Sequence, residues 1–175
     1  MEELEPIRET EQALFCVELM KRLNMQREQD YLCDITLVAK DGKEFKAHRN
    51  VLSAATPFFA KLLQSDMKEK KEGVARFEEI SAPILEDVLE FVYRGSVEIN
   101  DEQNAKDLII AADYLLLECL KAFSGRFLEQ RLTNSNCIST FYFAEKYKCA
   151  ELVSNSREFV HDNFASVAES NWTNF

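Results

Sequence analysis

Glycine and proline are scarce, 4 and 3 in 175 residues, which excludes long irregular stretches and predicts a chain rich in regular elements. No apolar run approaches the roughly 18 residues that a membrane-spanning helix needs. The opening Met1-Glu2-Glu3-Leu4-Glu5 carries none of the basic residues of a secretory leader. Basic clusters are also missing. The densest is the mixed run Lys68-Glu69-Lys70-Lys71-Glu72, in a chain of formal net charge −10. Phosphate backbones are held by clustered cations, so neither nucleic acid nor an anionic membrane surface is an expected partner. Histidine occurs twice, as His48 and His161, and no Cys or His spacing suits a metal. Four scattered glycines build no phosphate-binding loop, and no nucleophile sits in a recognisable motif. No cofactor is expected, and no catalysis by this chain. Cys16, Cys33, Cys119, Cys137 and Cys149 are odd in number, widely spaced and set in apolar stretches. They read as buried free thiols of an intracellular protein, with the cytoplasm expected and the nucleus as the alternative compartment.

What is present is core material. Hydrophobic residues reach 46%, with 13 Phe among them, which argues against intrinsic disorder. Residues 10–28 read as a helix with Thr10 as its cap. Its apolar face (Leu14, Cys16, Val17, Met20, Leu23, widened by Phe15 and Leu19) is broader than one neighbour requires. Residues 33–39 alternate as a strand. Asp41-Gly42 then signals a two-residue hairpin turn, and 44–48 form the return strand. Residues 50–55 read as a short helix. Thr56 caps the next one, with Pro57 at its first position and Phe58, Phe59, Leu62 and Leu63 as its apolar residues. A charged loop follows, then a third strand over 74–77. Ser81 and Pro83 start a helix that Gly95 ends, and 96–99 is expected as a short edge strand. Helices follow over 104–115, 117–131, 136–147 and 150–164. Strands gathered early and helices late indicate an α+β fold.

Several segments now carry a resemblance. Leu32-Cys33-Asp34-Ile35-Thr36-Leu37, followed by the run from Phe45-Lys46-Ala47-His48-Arg49 to Thr56-Pro57-Phe58-Phe59, resembles the BTB (POZ) signature. Leu89-Glu90-Phe91-Val92-Tyr93-Arg94-Gly95 and Ala111-Ala112-Asp113-Tyr114-Leu115-Leu116 are similar to its later segments. Asn136-Cys137-Ile138 and Ala144-Glu145-Lys146-Tyr147 resemble the BACK region of Kelch-like proteins. The resemblance implies a BTB/POZ domain over 1–131, including an N-terminal dimerisation helix, and the N-terminal part of a BACK domain over 132–175. It implies a small, mostly antiparallel sheet flanked by helices. It further implies a fragment that lacks the domain, often a Kelch propeller, through which such proteins recruit a protein substrate.

For function, the resemblance implies a homodimer that serves as substrate adaptor in a cullin-3 ubiquitin ligase. Met67 and Glu69 match the apolar-x-Glu pattern of cullin-binding relatives, and Phe58, Phe59 and Leu115 fall near the same surface. Asn136, Ile138 and Phe141 open the helical pair that adds cullin contact. Leu14, Val17, Met20 and Leu23 are the expected dimer residues, with Asp34 and Arg49 as a buried charged pair beside them. An acid–base reading of Asp34 and His48 finds no nucleophile to serve. The alternative function is a BTB oligomerisation module for a transcriptional repressor or a cytoskeletal scaffold, without cullin.

Overall fold

The computed structural model describes residues 4–64 and 73–172, with side chains over 10–64 and 73–168. The chain divides into two compact units, Met1–Val97 and Glu98–Phe175.

The first unit opens with α1 (Leu4–Glu28), a helix of 25 residues and so about 37 Å long. It starts six residues before the expected cap at Thr10. Pro6 causes no break, because a first-turn residue has no intrahelical N–H bond to lose. The sheet has three strands, β1 (Ile35–Val38), β2 (Glu44–Ala47) and β3 (Val74–Arg76), in the order β2-β1-β3. β1 pairs antiparallel with β2 and parallel with β3, so the sheet is mixed, not mostly antiparallel. The central β1 is buried on both faces, and the alternation read from its sequence does not become an inside and an outside. The expected two-residue turn is a three-residue loop. Ala39 N–H donates to the Lys43 carbonyl, and Gly42 N–H to that of Ala39. Gly42 takes φ 84, a conformation glycine adopts without steric cost.

α2 (Arg49–Ala55), α3 (Pro57–Gln64) and α4 (Ala82–Arg94) complete this unit. Thr56 caps α3 as expected, its Oγ1 accepting from Phe59 N–H at 3.2 Å. Ser81 makes no side-chain cap on α4. Instead the hairpin's Asp41 carboxylate accepts from Ala82 N–H at 3.2 Å, setting a negative charge at the positive end of the helix. Gly95 ends α4 at φ 72. Residues 96–99 form no strand, although Val97 is buried. The core holds Leu37, Leu52, Phe59, Leu85, Leu89 and Tyr93, with Phe59 meeting Phe77 edge-on.

One buried polar knot ties this unit together. The His48 Nε2 lies 3.0 Å from the Tyr31 carbonyl oxygen, which only accepts, so Nε2 carries a proton. Nδ1 then accepts from the Tyr93 hydroxyl at 2.8 Å, and that hydroxyl accepts from His48 N–H at 2.9 Å. Burial pushes the Tyr93 phenol up to about 12, so the donor persists at any physiological pH. Tyr93→Phe strands two buried groups and is expected to cost roughly 1–3 kcal/mol. The cost would be read as a lower urea midpoint at unchanged slope; an unchanged midpoint would remove the knot from the stability argument.

The second unit is helical: α5 (Glu102–Tyr114), α6 (Glu118–Glu129), α7 (Cys137–Lys146), α8 (Ala150–Asp162) and α9 (Phe164–Trp172). Asp101 caps α5, accepting from Asn104 N–H at 2.8 Å. Ala105, Ile109, Leu128, Ala144 and Leu152 form the core, with Ile99, Phe127, Phe143 and Tyr147 packed against it. The segment expected as one helix over 150–164 breaks at Asn163, whose side chain donates to the Phe159 carbonyl at 3.0 Å. Lys121 is nearly buried, and its ammonium meets Asp113 at 2.7 Å and Glu118 at 3.7 Å. Burial disfavours that charge, but the bond to Asp113 and the two carboxylates outweigh it, and the Lys121 pKa is raised.

Candidate partner-binding surfaces

The first surface lies on α1. Its C-terminal half packs on its own unit, where Asn24 is buried and its amide donates to Glu28 at 2.8 Å. Residues 10–19 are exposed without interruption. Leu14 is 63% and Phe15 68% exposed, and Val17 and Leu19 are also in solvent. Of the four expected dimer residues, Leu14 and Val17 face outward, while Met20 and Leu23 are half-buried. Beside them runs a groove of about 640 Å³ between α1 and the end of α4, lined by Val17, Met20, Met25, Val92 and Ser96 among others.

Asp34 and Arg49 do come together, but not as a buried pair. Asp34 is exposed and Arg49 half-buried. The Asp34 carboxylate accepts from Arg49 N–H at 2.7 Å, and the Arg49 guanidinium donates to the Asp34 carbonyl at 3.0 Å. The pair closes the start of α2 onto β1, and water reaches it because Asp34 precedes the strand.

The expected cullin residues divide. Met67 and Glu69 lie outside the described residues. Phe59 is buried, and Phe58 is half-buried with its ring 5.4 Å from that of Phe59. Leu115 is 0% exposed. Phe59 and Leu115 therefore pack the interior and offer no face to a partner in this conformation. The reason for Leu115 is helical phase: it follows Leu108, Ala111 and Ala112, all buried. The outward phase of α5 carries Ile110 and Tyr114, four residues apart and both exposed, with Leu116 just beyond the helix. Counting that phase in the sequence would have placed Tyr114, not Leu115, on the outward side of α5.

Asn136 is spent inside the chain. Its amide nitrogen donates to Glu102 at 3.2 Å and to the Arg131 carbonyl at 3.0 Å, and its oxygen accepts from Thr133 N–H. The hydrogen bond from Lys106, with that from Asn136, outweighs burial and holds the Glu102 carboxyl below its usual range. Ile138 and Phe141 are half-buried, and the Arg157 guanidinium sits 5.5 Å from the Phe141 ring. The five free thiols are mostly not buried: Cys137 is, Cys33 and Cys149 are intermediate, and Cys16 and Cys119 are exposed. Helical phase turns those last two outward despite their apolar neighbours. Burial raises the pKa of both Cys33 and Cys149, which disfavours reactive thiolates there. Among the described residues no helix is long and apolar enough to cross a membrane.

A mixed three-stranded sheet wrapped by short helices, with an N-terminal helix half out of its own unit, can be set beside known proteins. The BTB/POZ domain family matches residues 23–132. The chain belongs to the BTB/POZ family. Its relatives include human Kelch-like protein 11, 34% identical over 88% of this chain and 23% of that protein. Kelch-like protein 21 of Bos taurus is 34% identical over 81% of this chain and 24% of its own length. Human Kelch-like protein 2 is 33% identical over 86% and 25%. The chain thus spans about a quarter of the length of these curated relatives. Among solved structures, the BTB domain of zebrafish PATZ1 matches with a TM-score of 0.59, covering 67% of this chain and 94% of that one. At 23% identity that likeness concerns the fold. The α+β reading and the BTB resemblance hold. In this BTB chain the outward sides of α1 and α5 both carry exposed apolar residues, Leu14, Phe15 and Val17 on the first and Ile110 and Tyr114 on the second.

Proposed function

We propose that this chain is the homodimeric substrate-adaptor part of a cullin-3 RING ubiquitin ligase. The observation that carries the reading is the apolar outward stripe of α5, Ile110 and Tyr114, in a BTB/POZ chain with Kelch-like relatives. Tyrosine is a favoured anchor where one protein seats on another. The exposed half of α1 supports self-association, because a projecting apolar helix is marginal alone in water and a second copy buries both arms at once. The mechanism is proximity: the adaptor holds substrate and ligase at high effective concentration and makes or breaks no bond itself. The helices from Cys137 onward act as the start of a BACK domain, and a part of the protein outside this sequence reads the substrate. The cytoplasm is the proposed compartment, with the nucleus as the alternative.

Calorimetric titration with the N-terminal domain of cullin-3 tests the reading. Saturation at one cullin per protomer is expected. A folded dimer that takes up no heat would sink it and favour the oligomerisation module of a repressor or scaffold.

A further inference from the structure

Among the described residues, four that are not glycine take left-handed backbone angles: Asp30, Leu32, Leu116 and Lys148, at φ between 54 and 57. Three of them end helices. Tyr31 N–H donates to the Gln26 carbonyl, Leu117 N–H to that of Ala112 and Cys149 N–H to that of Ala144. Asp30, Leu116 and Lys148 thus each occupy the left-handed position of a Schellman turn. Leu32 has no such place. It lies beyond the helix, in the connector between α1 and β1, at φ 57, where a Cβ is crowded. Its side chain is 70% exposed, so its own packing offsets little of that strain. Strain of this kind persists only where the surroundings hold it.

The residues on either side of Leu32 are the ones held. The Tyr31 carbonyl accepts from His48 Nε2 at 3.0 Å, and Cys33 Sγ lies 3.8 Å from the same nitrogen. His48 is buried and is fixed at its other ring nitrogen by the Tyr93 hydroxyl, 2.8 Å away. The Tyr93 ring also carries the Arg27 guanidinium from the last turn of α1, 5.2 Å from its centroid. One imidazole therefore ties the connector to the core, and the connector holds the end of a long lever. Leu14 lies about 21 Å along the helix from Glu28. A tilt of roughly 10° at the connector moves it by about 4 Å, the scale of one side-chain contact.

We propose that His48 is a positioning residue for self-association. The bond from its Nε2 to the Tyr31 carbonyl is a latch that fixes the direction in which α1 leaves its unit, and it holds the exposed Leu14, Phe15 and Val17 ready for a second copy. The inference rests on the self-association reading above. An arm aimed in advance loses less freedom on docking.

The two ends of the imidazole can be removed separately. His48→Asn keeps an acceptor near the place of Nδ1 for Tyr93 and loses the donor to Tyr31. His48→Gln reaches the place of Nε2 with an amide donor and loses the acceptor. Spin labels on ketone-bearing unnatural residues at Glu11 and Glu44, both exposed, report the direction of α1 relative to β2 in the full chain. Dilution with unlabelled protein confines each reading to one protomer. The unmodified chain and His48→Gln should give a narrow distance distribution. His48→Asn should broaden it at least twofold and raise the dimer dissociation constant at least tenfold by sedimentation, at a thermal midpoint similar to that of His48→Gln. Leu32→Gly relieves the left-handed strain, leaves the latch in place and should stay narrow. Equal distributions for the two His48 variants would overturn the inference. A broadened Leu32→Gly would also overturn it, because the stiffness of the connector's own backbone would then set the direction; this arm decides even if a His48 variant fails to fold. A broadened His48→Asn with an unchanged dissociation constant would refute the role in self-association. If the unmodified chain is a monomer, the self-association reading itself fails, and the label distances still decide the latch.

Discussion

Leu14→Asp combined with Phe15→Asp is expected to turn the proposed dimer into a folded monomer. Both side chains stand mostly in water, at 63% and 68% exposure, so the protomer's own core loses nothing by the change. Burying each against a second copy contributes about 1.5–3 kcal/mol, and two-fold symmetry counts each change twice. A carboxylate on the same face must also be stripped of water. Together these terms raise the dimer dissociation constant by roughly a thousandfold or more. Sedimentation velocity at micromolar protein would show the loss. Circular dichroism should record a partial loss of helix, because the freed arm of α1 frays once it packs on nothing. An unaltered dimer would exclude the exposed half of α1 from the interface. Leu23→Asp provides the contrast: Leu23 is half-buried, so its replacement should lower fold stability as well as association.

Adjacent residues at the end of α5 should show opposite phenotypes. Tyr114→Asp is expected to weaken cullin binding by roughly thirtyfold or more with little change in the unfolding midpoint, because Tyr114 is 52% exposed and central anchors of this kind carry about 2 kcal/mol or more. Leu115→Ala should do the reverse. Its side chain is fully buried, and truncation to alanine in a core costs about 2–5 kcal/mol, while the outward stripe of α5 stays in place. Calorimetry and thermal unfolding on the same samples separate the two. If Leu115→Ala abolishes binding at full stability while Tyr114→Asp binds normally, the assigned phase of the surface is wrong. Met67→Ala with Glu69→Ala, chosen on sequence resemblance, should also abolish cullin binding with the dimer intact.

Most elements and the family were legible in the sequence because their signals are local. Thr56-Pro57 marks a helix start since one side chain caps Phe59 and the other pre-sets the backbone angle. Gly95 marks a helix end since a left-handed residue without Cβ is easily placed. The errors came where a neighbour from elsewhere in the chain decides. Asp41, not Ser81, meets the start of α4, and nothing in the local sequence shows that the hairpin would deliver its carboxylate there. Residues 96–99 have strand-like composition, but a strand exists only where a neighbour pairs with it.

The sequence by itself determined the α+β class, the order of elements, the BTB signature and the breadth of the apolar face on α1. These follow from hydrophobic periodicity and turn chemistry, which act over a few residues. Only the tertiary structure decided which apolar residues are spent on the core and which remain for a partner. It sent Phe59 and Leu115 inward, left Leu14, Phe15, Tyr114 and Leu116 in water, and placed Asp34 in solvent beside Arg49. An apolar side chain gains comparable free energy from burial in its own core or in another protein, so composition does not distinguish the two. Packing does, by filling one face of each helix from within the protomer and leaving the other open.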